Sequence, residues 1–420
     1  MGAGLLTTFL IASFFSSEVQ GYYYTFYSVL ALQVFAELGL ATVITSYASH
    51  EWASLTCDAG GRVTGDRDAL SRLASLTRFA MKWYSVIGIV VMVALMIWGL
   101  YFFDRPEAGD AIRWRAPWLA LCIVTGANLW LLPLWALLEG CNQVASVYRF
   151  RLIQAIVSSC AGWCAIYLGC GLWVAAVIAV ANLLVTIISL SGRYRRFIIS
   201  LLVVKADNAV FRWTRDILPM QWRVSVSWLS GYFSFSLFTP LLFHYHGPAA
   251  AGKMGMTWAF ISALTNVCSS WITPYAPMFG MLISQRKYVE LDKLFLRLTA
   301  IVTVIAASGA LVIWGGILYL YSTHNHYAER LLSPMAAGFF LIATVILISA
   351  LPISAYLRAH KREPLFGISV ANGLLTGLAV WLLGRHYAAE GMASGYLLVM
   401  ALVTPFMIVI WHRCRVKWHA

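Results

Sequence analysis

The chain has 420 residues, of which 61% are hydrophobic and 11% charged, and it carries a net charge of +13 at pH 7. Soluble domains hold about 45–50% apolar and about 25% charged residues, so an ordinary soluble enzyme, a coiled coil, a disordered chain and a disulfide scaffold are all excluded. Twelve spans of ~20 residues fit this length and leave only short connections, which describes a polytopic membrane protein with no separate soluble domain.

In chain order, apolar runs broken by polar clusters predict helices at 1–16, 22–49, 79–103, 117–140, 147–169 and 172–192, then at 217–243, 249–283, 298–321, 331–357, 365–384 and 391–411. The first run is short for a span, so helix 1 is expected either to begin upstream or to have lost its start. Glu37 lies midway along the second run with Gln33 one turn earlier. A carboxylate at that depth is costly and reads as a functional candidate, a proton or cation coupling site or a hydrogen-bond acceptor for a polar substrate. The 62–78 segment, with Arg62, Arg67, Arg72 and Arg78, reads as an amphipathic stretch lying on anionic lipid. Arg149, Arg151 and Gln154 open the fifth run, and Arg223 sits a few residues into the seventh. Arginine binds phosphate bidentately and stays charged when partly buried, which makes Arg151 and Arg223 candidates to line a path for an anionic headgroup. Glu139 is placed to pair with Arg149 or Arg151. Asn266, near the repeat equivalent of Glu37, adds a polar group to the eighth run, where Pro274 and Pro277 predict a kink able to act as a hinge.

Lys and Arg concentrate in alternate connections and the C-terminal tail, 24 on that side against 6 on the other. By the positive-inside rule both termini are cytoplasmic. A basic surface of this kind meets anionic membrane lipid rather than nucleic acid. The eight cysteines contain no CxxC pair, and Cys160 and Cys164, one turn apart, read as small buried hydrophobes. The histidines at 244, 246, 324 and 326 form two loop pairs, for which exposed loop histidine is the commoner use, and no resident metal or cofactor is expected. Of the deeper tryptophans (130, 135, 228, 258 and 271), core packing is the leading reading and stacking on a ligand the rival.

An internal repeat runs through the chain. Ile44-Thr45-Ser46-Tyr47-Ala48 reappears as Ile272-Thr273-Pro274-Tyr275-Ala276, Ile97-Trp98-Gly99 as Ile313-Trp314-Gly315, and Leu132-Pro133 as Leu351-Pro352. Matches in the same order predict a duplication. Each half then holds six helices, and an even number makes the halves parallel repeats about an axis along the membrane normal. The expected division is an N-lobe at 1–195, a basic cytoplasmic linker at 196–216 and a C-lobe at 217–420.

The stretch Glu18-Val-Gln-Gly-Tyr-Tyr-Tyr-Thr-Phe-Tyr, continuing through Gln33 and Glu37 to Leu40 and on to Ala48-Ser-His-Glu51, resembles polysaccharide and O-antigen flippase-type transporters of the multidrug/oligosaccharidyl-lipid/polysaccharide (MOP) exporter superfamily. The resemblance implies an all-α, MATE-like fold of twelve transmembrane helices in two six-helix lobes, in the bacterial cytoplasmic membrane. It also implies movement of a polyprenyl-pyrophosphate-linked oligosaccharide for O-antigen, lipopolysaccharide or other polysaccharide biosynthesis. Helix 1 lacks the carboxylate of cation-coupled drug exporters and the arginine of the lipid II flippase branch. A non-enzymatic, monomeric transporter is expected, coupled if at all to H+ or Na+, with polysaccharide-assembly enzymes as its partners. The rivals are a cation-coupled multidrug antiporter on the same fold and, further off, a membrane glycosyltransferase or polymerase. The short outward loops, without room for catalytic acids and bases, argue against the enzyme.

Overall fold

A computed structural model describes residues 2–58, 60–104, 112–204, 225, 232–233, 236–360 and 364–419. Nearly all of what it describes is helix. The first apolar run forms the short helix α1 (Gly2–Phe14), followed by α2 (Ser17–Leu30). A 3-10 turn (Ala31–Gln33), α3 (Val34–Glu37) and α4 (Leu40–Trp52) complete the second run. A two-stranded antiparallel hairpin, β1 (Leu55–Cys57) with β2 (Val63–Gly65), pairs Thr56 with Thr64. Then come α5 (Arg67–Phe103), α6 (Arg115–Gly140), α7 (Val144–Tyr167), α8 (Trp173–Arg193) and α9 (Arg195–Val203). The second half contributes α10 (Phe238–Ile272), α11 (Ala276–Ser284), α12 (Tyr288–Ser322), α13 (Pro334–Ala359) and α14 (Phe366–His419).

Seven described helices, α5 to α8 and α12 to α14, are long and apolar enough to cross a membrane. Two helices are composite. α10 changes direction at Gly247 (φ 85°, ψ 175°), and α14 is broken at Tyr387 and Ala388, which separates the eleventh and twelfth spans. With α1 short and the second run segmented, the described residues are those of an all-α polytopic membrane protein. Most of the seventh run, including Arg223, Trp228 and the 205–216 part of the expected linker, lies outside the described residues.

Contacts divide the chain into two bodies, Val29–Leu229 and Met1–Ser28 with Ser230–Ala420. The boundary differs from the expected 1–195 and 217–420 at both ends. The first 28 residues join the second body because α2 meets α10 at backbone range. A Cβ on Gly21 would stand 1.9 Å from the Pro248 carbonyl oxygen, and one on Gly252 would stand 3.0 Å from the Gly21 nitrogen. Gln20, almost fully buried, donates through Nε2 to the carbonyls of Gly252 (2.9 Å) and Arg330 (3.2 Å). At the other end, α9 is no free linker. Its Phe197 and Leu201 are buried with Leu55, Val63 and Leu73 in the first body's core, and Ser200 Oγ accepts from the Val63 amide (3.3 Å).

The 62–78 segment is likewise no separate interfacial helix. Val63–Gly65 is strand, Asp66 caps α5 by accepting from the Ala69 amide (2.8 Å), and the helix then runs unbroken for 37 residues. At 1.5 Å per residue that is about 55 Å, well beyond a hydrocarbon core of ~30 Å, so its basic first turns project past the bilayer. Cys160 and Cys164 also depart from expectation, being exposed on α7 where Cys122, Cys141 and Cys268 are buried. In a membrane that exposed face meets hydrocarbon, so an apolar sequence environment is no sign of protein burial.

Candidate functional site

Glu37 lies at a break. The second run is not one helix: α3 ends at Glu37, and Leu38 (φ 50°, ψ 29°) and Gly39 (φ 68°, ψ 19°) are both left-handed. The Leu38 amide closes α3 on the Val34 carbonyl (2.9 Å), and the Thr42 amide opens α4 on the Gly39 carbonyl (3.1 Å). Gly39 takes this conformation without steric cost, whereas Leu38 is strained by roughly 1–2 kcal/mol. The Leu38 carbonyl, cut out of the helical ladder, accepts from Ser225 Oγ (3.1 Å). Irregular backbone at membrane depth needs such partners, because lipid supplies none.

The Glu37 side chain is half-buried and within electrostatic range of Tyr84 on α5, itself fully buried. Among the described residues neither Gln33 nor Glu37 has a side-chain hydrogen bond or ion pair. A carboxyl beside interrupted helical backbone is the arrangement from which a membrane helix binds a cation or exchanges a proton. A C-cap glycine signal, Glu37-Leu38-Gly39, was in the sequence, but the apolar periodicity on both sides masks it.

A second polar group joins α6, α7 and α8. Gln154 Nε2 donates to the Asn182 carbonyl and to Thr186 Oγ1, both at 3.2 Å. Asn128 Nδ2 donates to the Val124 carbonyl (3.0 Å) and reaches the Ala179 carbonyl at 3.5 Å. Apart from the Val124 bond, which stays within α6, these are interhelical ties worth about 0.6 kcal/mol each. They leave Gln154 Oε1 without a protein donor among the described residues, able to accept from a hydroxyl. One turn earlier, Arg151 is paired with Glu139 and lies over the Tyr148 ring at 5.6 Å from guanidinium carbon to centroid. Glu139 therefore cancels part of the charge that Arg151 would offer to a phosphate, while Arg149 stays exposed.

In the second body, Asn266 is exposed on α10. The proline pair interrupts the eighth run: α10 stops at Ile272, a 3-10 turn covers Thr273–Tyr275, and α11 starts at Ala276. Thr265 and Asn266, the repeat partners of the Glu37 region, sit in unbroken helix. The two halves therefore break their second helices at different positions along the repeat. Trp258 is a core residue, with Phe238 at 4.8 Å and Phe340 at 5.7 Å between ring centroids. His246 Nε2 is bound to the Gly384 carbonyl (2.7 Å), and no group of three His, Cys, Asp or Glu side chains suited to a metal occurs among the described residues.

No family profile and no curated protein sequence matches the chain. Solved structures do. An inward-facing multidrug resistance MATE family transporter of the MOP superfamily aligns with a TM-score of 0.69 and 15% identity, over 99% of this chain and 94% of that one. The lipid II flippase MurJ in an inward closed conformation gives 0.67 and 12%, over 99% and 87%. A MOP superfamily transporter from Pyrococcus furiosus, described by the reverse polarity of its binding pocket, gives 0.56 and 13%, over the whole of this chain and 92% of that one. The fold is that of MOP superfamily transporters. At these identities the likeness speaks for the MOP fold alone, and the neighbours span both drug exporters and a lipid-linked precursor flippase.

Proposed function

We propose that this chain is a flippase for a polyprenyl-pyrophosphate-linked oligosaccharide. It works by alternating access in a bacterial cytoplasmic membrane, with both termini in the cytoplasm. The observation that carries this reading is the flippase-like Glu18–Glu51 stretch, within a MOP fold, folding into a broken membrane helix with a half-buried carboxyl at the break that has no ion-pair partner among the described residues. A sugar headgroup crossing hydrocarbon needs hydrogen-bond partners at every depth, while the prenyl tail stays in lipid. Gln33, Gln154 and Asn266 supply acceptors and donors for hydroxyls, and Arg151 and Arg223 draw the pyrophosphate to the entry side. Glu37 serves as the coupling residue for H+ or Na+. The turn around Pro274 and Pro277 flexes when the second body changes state.

The deciding experiment is flipping of a fluorescent polyprenyl-pyrophosphate oligosaccharide by purified protein in proteoliposomes, with and without proton or sodium gradients. Wild type should flip it, faster under one gradient, and Glu37→Gln should lose at least about tenfold, ~1.4 kcal/mol of barrier, while eluting and melting as a folded protein. No flipping under any gradient by folded wild type would end this reading. A cation-coupled drug antiporter is the second reading, favoured by the likeness to the MATE transporter and by the acidic character of Glu37. Proton-competed binding of a lipophilic cation, abolished by Glu37→Gln, would select it.

A further inference from the structure

Burying a cation without a counter-charge is costly in a membrane protein, so an unpaired one marks a functional candidate. The second body gathers two such cations around one carboxamide. Gln20 on α2 is buried and donates through Nε2 to the Gly252 carbonyl of α10 and to the carbonyl of Arg330, which ends the 3-10 turn His326–Arg330. A second staple joins the same two segments. Thr257 Oγ1 donates to the Lys253 carbonyl (2.9 Å) and accepts from the Leu332 amide (3.1 Å). Lys253 stands one helical turn before Thr257 and so shares its face of α10, the one turned to residues 330–332.

Lys253 and Arg330 are both half-buried, and neither belongs to an ion pair among the described residues. Glu18 and Glu329, the carboxylates on the same segments, are exposed, and Glu390 accepts from Ser333 Oγ (3.1 Å). Arg330 Nη1 and Gln20 Oε1 are each shielded from solvent without a hydrogen-bond partner among the described residues. One is a charged donor and the other an acceptor, and leaving either unmade is costly. A ligand that satisfies both brings an anion to the cations and a hydroxyl to the carboxamide.

We propose that this cluster is an exit-side site for the sugar-linked pyrophosphate of the transported substrate, with Lys253 and Arg330 on phosphate oxygens and Gln20 Oε1 accepting from a hydroxyl of the adjoining sugar. The inference rests on the flippase reading above, whose orientation puts the start of the eighth span and the connection after the ninth outside. Arginine grips phosphate bidentately and lysine meets it as a point charge. A pyrophosphate diester carries two negative charges, matching the two cations, whereas a phospholipid diester such as phosphatidylglycerol carries one. Both orphaned atoms are shielded in this conformation, so the site fills as the seam between α2 and α10 opens.

The test measures binding by isothermal titration calorimetry to full-length protein in a phosphate-free detergent. The background carries Arg151→Gln and Arg223→Gln, so that the entry-side arginines do not contribute. The probes are a monosaccharide pyrophosphate on a short prenyl chain, inorganic pyrophosphate and phosphatidylglycerol. The sugar pyrophosphate should bind, and inorganic pyrophosphate should bind more weakly. Lys253→Gln and Arg330→Gln should each weaken the sugar pyrophosphate about tenfold while eluting and melting as folded proteins, and Lys253→Arg should retain binding. Gln20→Met should weaken the sugar pyrophosphate and leave inorganic pyrophosphate unchanged. Unaltered binding in both charge-removing variants, or equal competition by phosphatidylglycerol, would overturn the inference. Binding that those variants lose, without flipping by the wild-type protein, would keep the site and remove the flippase reading. Flipping by wild type with no binding at this cluster would do the reverse.

Discussion

Glu37 shows how a residue can be conspicuous in sequence while its setting is not. A lone carboxyl in an apolar run stands out from hydropathy alone, but the left-handed pair Leu38 and Gly39 behind it does not, because Leu38 is an ordinary helix former. Gly39→Val would put a β-branched side chain at φ 68° and should destabilise the protein by about 1–2 kcal/mol, read as a lower melting temperature in detergent. Arg151 teaches the converse. Its residue type pointed to phosphate, and Glu139 was a foreseeable partner, but choosing between Arg149 and Arg151 needed the angular phase of α6 against α7.

Cys57, in the hairpin outside the spans, gives a pH prediction. Burial first, and then the nearby Asp58 carboxylate, push its thiol above the usual 9.0, so the thiolate fraction at neutral pH is lower than that of a free cysteine. Alkylation of a variant retaining only Cys57 should be slow at pH 7 and still be rising above pH 9, and Asp58→Asn should speed it. A rate that levels off below pH 8 would contradict this.

Among elements, α2 and α14 hold the second body together in ways no single-helix pattern announces. The Gly21–Gly252 approach depends on two glycines 231 positions apart, and Gly21→Leu should detach α2, visible as new protease sensitivity near the N-terminus. At the far end of the chain, Asp292 on α12 accepts from Arg415 Nε (2.9 Å) and from the Tyr356 hydroxyl (2.9 Å), and His419 Nε2 reaches the same hydroxyl at 3.2 Å. Asp292→Ala strips Arg415 and Tyr356 of their acceptor and should cost about 2 kcal/mol, measured as a lower thermal midpoint.

His419 sets the pH dependence of this staple. Burial chiefly lowers its pKa below 6.5, His360 and Arg415 lower it further, and Asp292 opposes them. With the folded pKa depressed, His419 contributes nothing above the unfolded pKa near 6.5, and stability falls as pH drops through that value. Thermal melts of wild type should therefore lose stability from pH 7 to pH 5, and His419→Gln should flatten that part of the profile.

At the scale of the molecule, the run of spans was legible over the described residues, since membrane helices must satisfy their own backbone and cover it with apolar side chains. Of the matched repeat positions, Pro133 and Pro352 both lie inside long helices. Orientation is a charge count that a topology experiment can check: an impermeant maleimide should reach Cys57 only from the cytoplasmic face, and labelling from outside would invert the scheme. Composition and periodicity alone determined that this chain is a helical membrane protein with its candidate carboxyl in the second span. Hydrocarbon imposes that much on any sequence living in it. The tertiary structure decided where helices break, which arginine meets which glutamate, and that residues 1–28 join the second body. Those depend on contacts between residues far apart in the chain, for which a local pattern carries no signal.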